Sequence, residues 1–278
     1  MTKRLLSLLL PLVVPALFLW GWQTAAERAA NDIILPRLTD VLAVLAHPLE
    51  PLIGMGSLLA NVGISLARVL FGYLAAVALA IPLGILMGYF APAHRLLNNF
   101  LALFRPIPPL AWTPLMLAWF GIASPASLLD MEIGPTYIFL NNLKFSMAFI
   151  IFIGGFFPVL TSSIQGVRGV RRVLVESSLV LGASRLDIFR KVVLPGASPS
   201  ILTGMRIGLG VAWMCLVSAE MLPGSISGVG YLITHAYTMA STDIVIAGMF
   251  SIGLTGALMD WLFRRVERRC FSWQRLAR

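Results

Sequence analysis

Charge is what this chain has least of. Lys and Arg number 21 and Asp and Glu 12 in 278 residues, 12% together, about half the share of an ordinary soluble domain. With 58% of the residues drawn from AVILMFWYC, that shortage excludes a soluble globular protein. It also excludes a disordered chain, which needs low hydrophobicity, and a nucleic-acid module, which needs basic residues over a foldable polar domain. Only 2 cysteines are present. Cys215 lies in an apolar run and Cys270 in a basic tail, so neither a disulfide framework nor a zinc site is suggested. The 3 histidines, His47, His94 and His235, lie in three different places, and neither His-Glu-x-x-His nor a Ser/His/Asp arrangement occurs. No catalytic residue and no metal ligand is therefore assigned. A Gly-x-x-x-x-Gly-Lys-Ser/Thr loop that would cradle phosphates is also missing, so any ATP must be handled by another chain.

What the chain has is long apolar runs. They read as Leu5 to Trp22, Leu58 to Tyr89, Asn98 to Phe120, Phe145 to Ser163, Ile201 to Leu222 and Ile244 to Phe263, each long enough to cross about 30 Å of hydrocarbon. The first could be a signal peptide. Pro11 and Pro15 within it, Trp20 and Trp22 at an interfacial position, and the poor cleavage site after it favour a span. The intervening charges orient the six. Residues 23–57 hold Glu27, Asp32, Asp40 and Glu50 against Arg28 and Arg37, and residues 121–144 hold Asp130 and Glu132 against Lys144. By contrast, Arg168, Arg171, Arg172, Arg185, Arg190 and Lys191 crowd residues 164–200. Arg264, Arg265, Arg268, Arg269, Arg275 and Arg278 crowd the tail, and His94 and Arg95 sit between the second and third spans. By the positive-inside bias, all basic segments fall on one side with both termini inside. The chain divides into 1–57, a first span and outer segment, 58–264, the spanning core, and 265–278, a basic tail.

The inner segment 166–199 is patterned rather than low in complexity. A helical stretch from Arg171 to Leu181 stops at Gly182, which tolerates the left-handed conformation. Ser184-Arg-Leu-Asp187 opens a second helix as a capping box. Pro195 should end or kink that helix and bias Leu194 out of the α region. Leu186 and Phe189 give it an exposed apolar face.

Glu176-Ser-Ser, Gly182 and Val193-Leu194-Pro195 resemble the EAA signature of ABC importer permeases, Glu-Ala-Ala, then Gly, then Ile-x-Leu-Pro. Serines at 177 and 178 and Val192-Val193 are the departures. Arg105-Pro-Ile-Pro-Pro-Leu-Ala-Trp112, Trp119-Phe-Gly121, Ala219-Glu220-Met221 and Gly228-Val-Gly-Tyr-Leu232 resemble the branch that imports nitrate, sulfonates, taurine or bicarbonate. The resemblance covers about residues 30–270. It implies an all-α type I permease fold with six transmembrane helices, in the inner (plasma) membrane and surrounded by lipid. It implies a coupling helix that sits in a groove of a cytoplasmic ATPase, through Glu176, Ser177, Ser178, Gly182, Leu186, Phe189, Leu194 and Pro195. It further implies two such ATPase subunits carrying ATP and Mg, a second copy of the permease, and an extracytoplasmic substrate-binding protein. No cofactor is bound by this chain and no nucleic acid is a partner.

Ionisable residues inside spans are functional candidates by default. Here they are Arg68, Arg105, Arg206, Glu220 and Asp260. Arg206 and Glu220 are about 21 Å apart along one helix at 1.5 Å per residue, so each needs a partner elsewhere. The candidate pathway comprises Arg105, Pro109, Trp112, Arg206, Trp213, Glu220 and Met221. Each has a bland alternative: arginines snorkelling or capping helix ends, Glu220 bonded to nearby backbone, and Trp213, Met214 and Met221 as packing. Arg105-Pro-Ile-Pro-Pro cannot sustain α hydrogen bonding, and broken backbone at membrane depth needs a cavity or protein around it. Residues 124–146 read as a surface insertion or a contact for the binding protein. Gly204, Gly208 and Gly210 in the fifth span, and Gly248, Ser251, Gly253 and Gly256 in the sixth, read as packing faces. One set of spans without an internal repeat points to a homodimer around the pathway.

The favoured function is an ATP-driven importer subunit for a small anion. The alternatives are the same class of permease for an uncharged or heterocyclic nutrient, an ion-coupled secondary carrier supported only by Glu220 and Asp260, and a membrane enzyme.

Overall fold

The computed structural model describes residues 2–121, 123–131, 133–222 and 225–270, with side chains from Val13 onward. Glu132, Arg275 and Arg278 lie outside the described residues. The chain is helical, with no β-strand among the described residues. In order it forms α1 (Thr2–Ala29), α2 (Leu38–Ala46), α3 (Leu58–Tyr89), α4 (Ala91–Phe104), α5 (Thr113–Phe120), α6 (Pro125–Leu128), α7 (Pro135–Asn141), α8 (Phe145–Arg168), α9 (Arg172–Val180), α10 (Arg185–Ile188), α11 (Leu194–Glu220), α12 (Val229–Thr238) and α13 (Thr242–Cys270). Among the described residues four helical stretches, α3, α8, α10 through α11, and α13, are long and apolar enough to cross a membrane, or five if the pair bent at Arg105 counts as one span.

The second expected span matches α3 at both ends. Ser57 accepts the Ala60 amide as N-cap, and Phe90 with Pro92 just after it interrupts the run before α4 begins. The third span breaks at its prolines as expected, and the fifth departs from expectation. Asn98–Phe120 is not one helix: α4 ends at Phe104, a 3₁₀ turn covers Pro109–Trp112, and the two arms meet at 80°. The prolines supply the cause, since three of the amides that would close α turns there do not exist. The fifth span starts at Leu194 rather than Ile201, and the helix neither ends nor breaks at Pro195. A π turn over Phe189–Val193 precedes it, with the Leu194 amide donating to the Phe189 carbonyl. The wider turn relieves the clash a proline makes with the carbonyl four residues back. Leu194 accordingly keeps α geometry, with φ −61° and ψ −49°.

Helix α8 lies between α3 and α11 and packs most extensively against both. Val69, Tyr73, Ile151, Phe156, Val159, Leu209, Trp213 and Leu216 form the buried centre. Lipid tails are as apolar as leucine, so close packing rather than water exclusion must hold such helices together. Gly204 of α11 sits against Ser162 and Pro158 of α8, and Gly208 against Val159 and Gly155. Gly248 receives Ile233 of α12. Gly210 and Gly253 face open space, which corrects their reading as packing positions. Gly204→Leu is therefore expected to force α11 off α8 and to cost about 1–3 kcal/mol by overpacking. It should lower the melting temperature in detergent, whereas Gly210→Leu should leave it unchanged or slightly raised. Equal melting of the two variants would refute this account of the interface.

Candidate functional site

Helix α3 carries Asn61, Ser65 and Arg68 at positions i, i+4 and i+7, hence on one face. That face meets the end of α11 and the start of α12. Arg68 is 2% exposed and Glu220 of α11 is 0% exposed, with Arg68 Nη1 2.7 Å from Glu220 Oε1. The guanidinium has five N–H groups, and all five find acceptors. Nη1 donates to Glu220 and to the Ser227 carbonyl at 2.7 Å, Nη2 to Ser227 Oγ at 2.8 Å and Asn142 Oδ1 at 3.2 Å, and Nε to the Asn142 carbonyl at 2.7 Å.

The carboxylate is equally well supplied. Ser65 Oγ lies 2.9 Å from both of its oxygens and the Gly230 amide donates to Oε2 at 3.0 Å. The first amides of α12 are thereby capped from outside their own helix. Gly228 N–H donates to Asn61 Oδ1, Val229 N–H to Ser65 Oγ and Gly230 N–H to Glu220, satisfying groups a helix start leaves orphaned. Glycine is required at 228, where φ is +104° and an added Cβ would collide with the Glu220 carboxylate. A buried ion pair is tolerable only with this degree of satisfaction. Arg68 does not snorkel; it caps the C-terminus of α7 through the Asn142 carbonyl while it also holds Glu220. Just outside α8, burial and the like charge of Arg68 hold the Lys144 ammonium below its ordinary pKa.

Arg206 is engaged near the middle of α11. Its Nη1 is 3.4 Å from Glu267 Oε2 and its Nε 3.8 Å from Asp260 Oδ1, both on α13, and Asp260 also accepts from Arg264 at 2.6 Å. Arg105 is exposed at the end of α4. Trp112 lies edge-on to Phe149 and 6.0 Å from Phe104 across the broken turn, with Pro109 half-buried beside it. Trp213 is buried and donates to the Ile252 carbonyl at 3.3 Å. Met214 and Met221 are exposed. The candidate pathway residues thus fall into three separate places: the broken turn, the α11–α13 ion pairs and the Arg68–Glu220 hub.

In the segment 172–193, α9 ends in a Schellman motif. Gly182 N–H donates to the Leu179 carbonyl and Ala183 N–H to the Ser178 carbonyl, with φ +80° at Gly182. Ser184 caps α10 by accepting the Asp187 amide at 3.2 Å. Ser177 and Ser178 donate back to the carbonyls of Val173 and Leu174 at 2.7 Å, so their hydroxyls are spent locally and present little more polarity than alanine. Val173, Leu174, Val180, Leu181 and Leu186 are exposed, and Glu176 stands among them. Phe189, expected on that exposed face, turns inward instead. Its ring packs 5.1 Å from Tyr89 and joins the cluster of Val167, Ile188, Val193 and Ala197.

Residues 80–272 match the family model described as binding-protein-dependent transport system inner membrane component. The chain belongs to that family. A putative ABC transporter permease of Methanocaldococcus jannaschii is 47% identical over 97% of this chain and 94% of its own length. The taurine transport system permease protein TauC of Escherichia coli is 34% identical over 98% and 91%. A chain from inward-facing MetNI methionine ABC transporter crystals superposes with a TM-score of 0.63 at 18% identity, covering 80% of this chain and 98% of that one, which shows the permease fold.

For this ABC permease the resemblance located Glu176 to Pro195 and singled out Glu220, but it did not reveal the hub. Ser65, Asn61, Asn142 and Ser227 went unassigned. Polar residues at i, i+4 and i+7 in the 32-residue apolar run of α3 were the available signal. Their partners lie up to 167 positions away, where no local pattern reaches. Among the described residues no group of His, Cys, Asp or Glu is arranged to hold a metal ion.

Proposed function

We propose that this permease forms, with a second copy of itself, the membrane channel of an ATP-driven importer for a small anion. Six spans with both termini inside, divided at 57 and 264 as above, place the segment 172–193 at the cytoplasmic face. There Glu176, Ser177, Ser178, Gly182 and Leu186 dock one of two ATPase subunits, with Phe189, Leu194 and Pro195 fixing the segment to the bundle. ATP and Mg reside on those subunits, and an extracytoplasmic binding protein delivers the anion.

The observation that carries this reading is the exposed apolar surface of α9 and α10, which a cytoplasmic loop with no partner would not keep. The anion follows from the kinship to a taurine permease, taurine being a sulfonate, and from an exposed arginine at a backbone break. Arg206, Trp213 and Glu220 are already engaged, so the pathway narrows to Arg105, Pro109 and Trp112, with Met221 exposed at the outer end. A fixed charge of one arginine per subunit lowers the barrier for an anion without a well deep enough to trap it.

Vesicles holding the permease, its ATPase and its binding protein provide the test. Arg105→Gln should lower anion uptake roughly tenfold, equivalent to about 1.4 kcal/mol of lost attraction. Arg105→Lys should retain part of it, and neither change should disturb ATPase binding. Full uptake by Arg105→Gln removes Arg105 from the pathway, and wild-type uptake of an uncharged substrate removes the anion.

A further inference from the structure

The five N–H groups of Arg68 do more than neutralise Glu220. Only one of them reaches the carboxylate, while two go to Asn142 and two to Ser227. Asn142 closes the segment that carries α6 and α7, and Ser227 lies in the turn between α11 and α12. Those two residues also bond each other, Ser227 Oγ donating to Asn142 Oδ1 at 2.6 Å. Both segments expose large apolar side chains, Leu128, Leu129, Ile138 and Phe139 on one and Ile226 on the other. Ser124, Ala126 and Leu143 are buried on the first and Ser225 on the second, and Asn142 and Ser227 are the residues of each that reach Arg68. At the far end of α11 a helix unbroken from Arg185 to Glu220, 36 residues and about 54 Å at 1.5 Å per residue, joins the coupling surface at Leu186 directly to this carboxylate.

We propose that Arg68 is a positioning residue: its guanidinium latches the end of α7 at Asn142 and the turn before α12 at Ser227 to the outer ends of α3 and α11, so that both outer segments follow α11 when the coupling segment moves. The proposal rests on the topology and ATPase docking given above. A buried charge is well suited to this, because a half-satisfied hub at this depth is costly and the latch is therefore either fully made or released as a unit. Lysine in place of Arg68 would keep the charge for Glu220 but has three donors rather than a planar fork of five, and would let both segments go.

The test uses spin labels at Ile138→Cys and Ile226→Cys, both exposed positions, in the full chain with Cys270→Ser, co-expressed with its ATPase subunits. In wild type the distance distribution between the labels should be narrow. Arg68→Lys should broaden it and lower uptake about tenfold, within the ordinary range of coupling between sites. The paired change Arg68→Met with Glu220→Leu removes both charges for apolar groups of similar size, which buried ion pairs commonly tolerate without loss of stability. That variant should accumulate in the membrane and co-purify with the ATPase, yet show the broadened distribution and the same loss of uptake. A purely structural ion pair predicts the opposite: a narrow distribution and wild-type uptake in the paired variant, and this result would overturn the latch. If the paired variant does not accumulate, the distribution in Arg68→Lys decides alone. If no ATPase co-purifies with wild type, the function proposed above fails, and the label distances still decide whether Arg68 holds the two segments.

Discussion

Glu220→Leu alone is expected to abolish accumulation of folded permease in the membrane. The change strands the Arg68 guanidinium at 2% exposure with its counter-ion gone. It also frees the Gly230 amide and the Ser65 hydroxyl that Glu220 now binds. Removing one partner of a buried pair costs about 3–5 kcal/mol, against a total stability of about 5–15 kcal/mol for a typical protein. Leucine matches the volume, so the loss is electrostatic rather than a cavity. The comparison with the paired Arg68→Met, Glu220→Leu change isolates it, since that variant leaves no charge behind. Membrane fractionation and size-exclusion profiles of the two report the difference. Comparable amounts of monodisperse protein from both would mean that water or lipid headgroups reach Arg68, and that the hub is not dry.

Gly228 belongs to the same argument. A carboxylate can receive the Gly230 amide only if the α12 backbone comes within van der Waals contact of it, and a side chain at 228 would occupy the position of the carboxylate itself. The Gly-Val-Gly spacing and the lone glutamate are thus one device, split between two sequence positions.

Hydropathy and charge located most of the bundle because they measure what lipid demands of a helix: length, apolarity and a capped end. The apolar run Leu58 to Tyr89 marked α3 for that reason, and Ser57 caps its start. Where prediction slipped, the helix itself was irregular. Pro195 read as a terminator, since a proline clashes with a regular α turn; one extra residue in the turn before it removes the clash, and no sequence pattern announces a π turn. Arg105 to Pro109 was legible as a break because missing amides are a local property, whereas the angle between the arms depends on packing against α8. The hub was least legible. Arg68 looks like any arginine in an apolar run until the chain brings Asn142 and Ser227 around it, and Arg206 looked equivalent although its partners on α13 leave it partly open to solvent.

Gly182→Val should reduce uptake to background while leaving the membrane domain folded. Gly182 is exposed with nothing within 4 Å of an added Cβ, so the substitution meets no neighbour. The fault it introduces lies in the backbone. At φ +80° a β-branched residue is strained by about 1–2 kcal/mol, enough to move the chain out of the left-handed region. The two hydrogen bonds that close α9, from Gly182 to Leu179 and from Ala183 to Ser178, then break together, because both depend on that one residue turning the chain. Ser184 no longer points α10 along its present direction, and Leu186 and Glu176 lose their fixed separation. The rest of the bundle, held by α3, α8 and α11, has no stake in this turn, so expression and melting temperature should be those of wild type. Gly182→Asn is the control, asparagine being the residue that best tolerates the left-handed region after glycine; it should keep most uptake. Hydrolysis by the co-purified ATPase reports the coupling directly. Substrate-stimulated hydrolysis in Gly182→Val equal to that of Gly182→Asn would place the ATPase contact somewhere other than the α9–α10 turn.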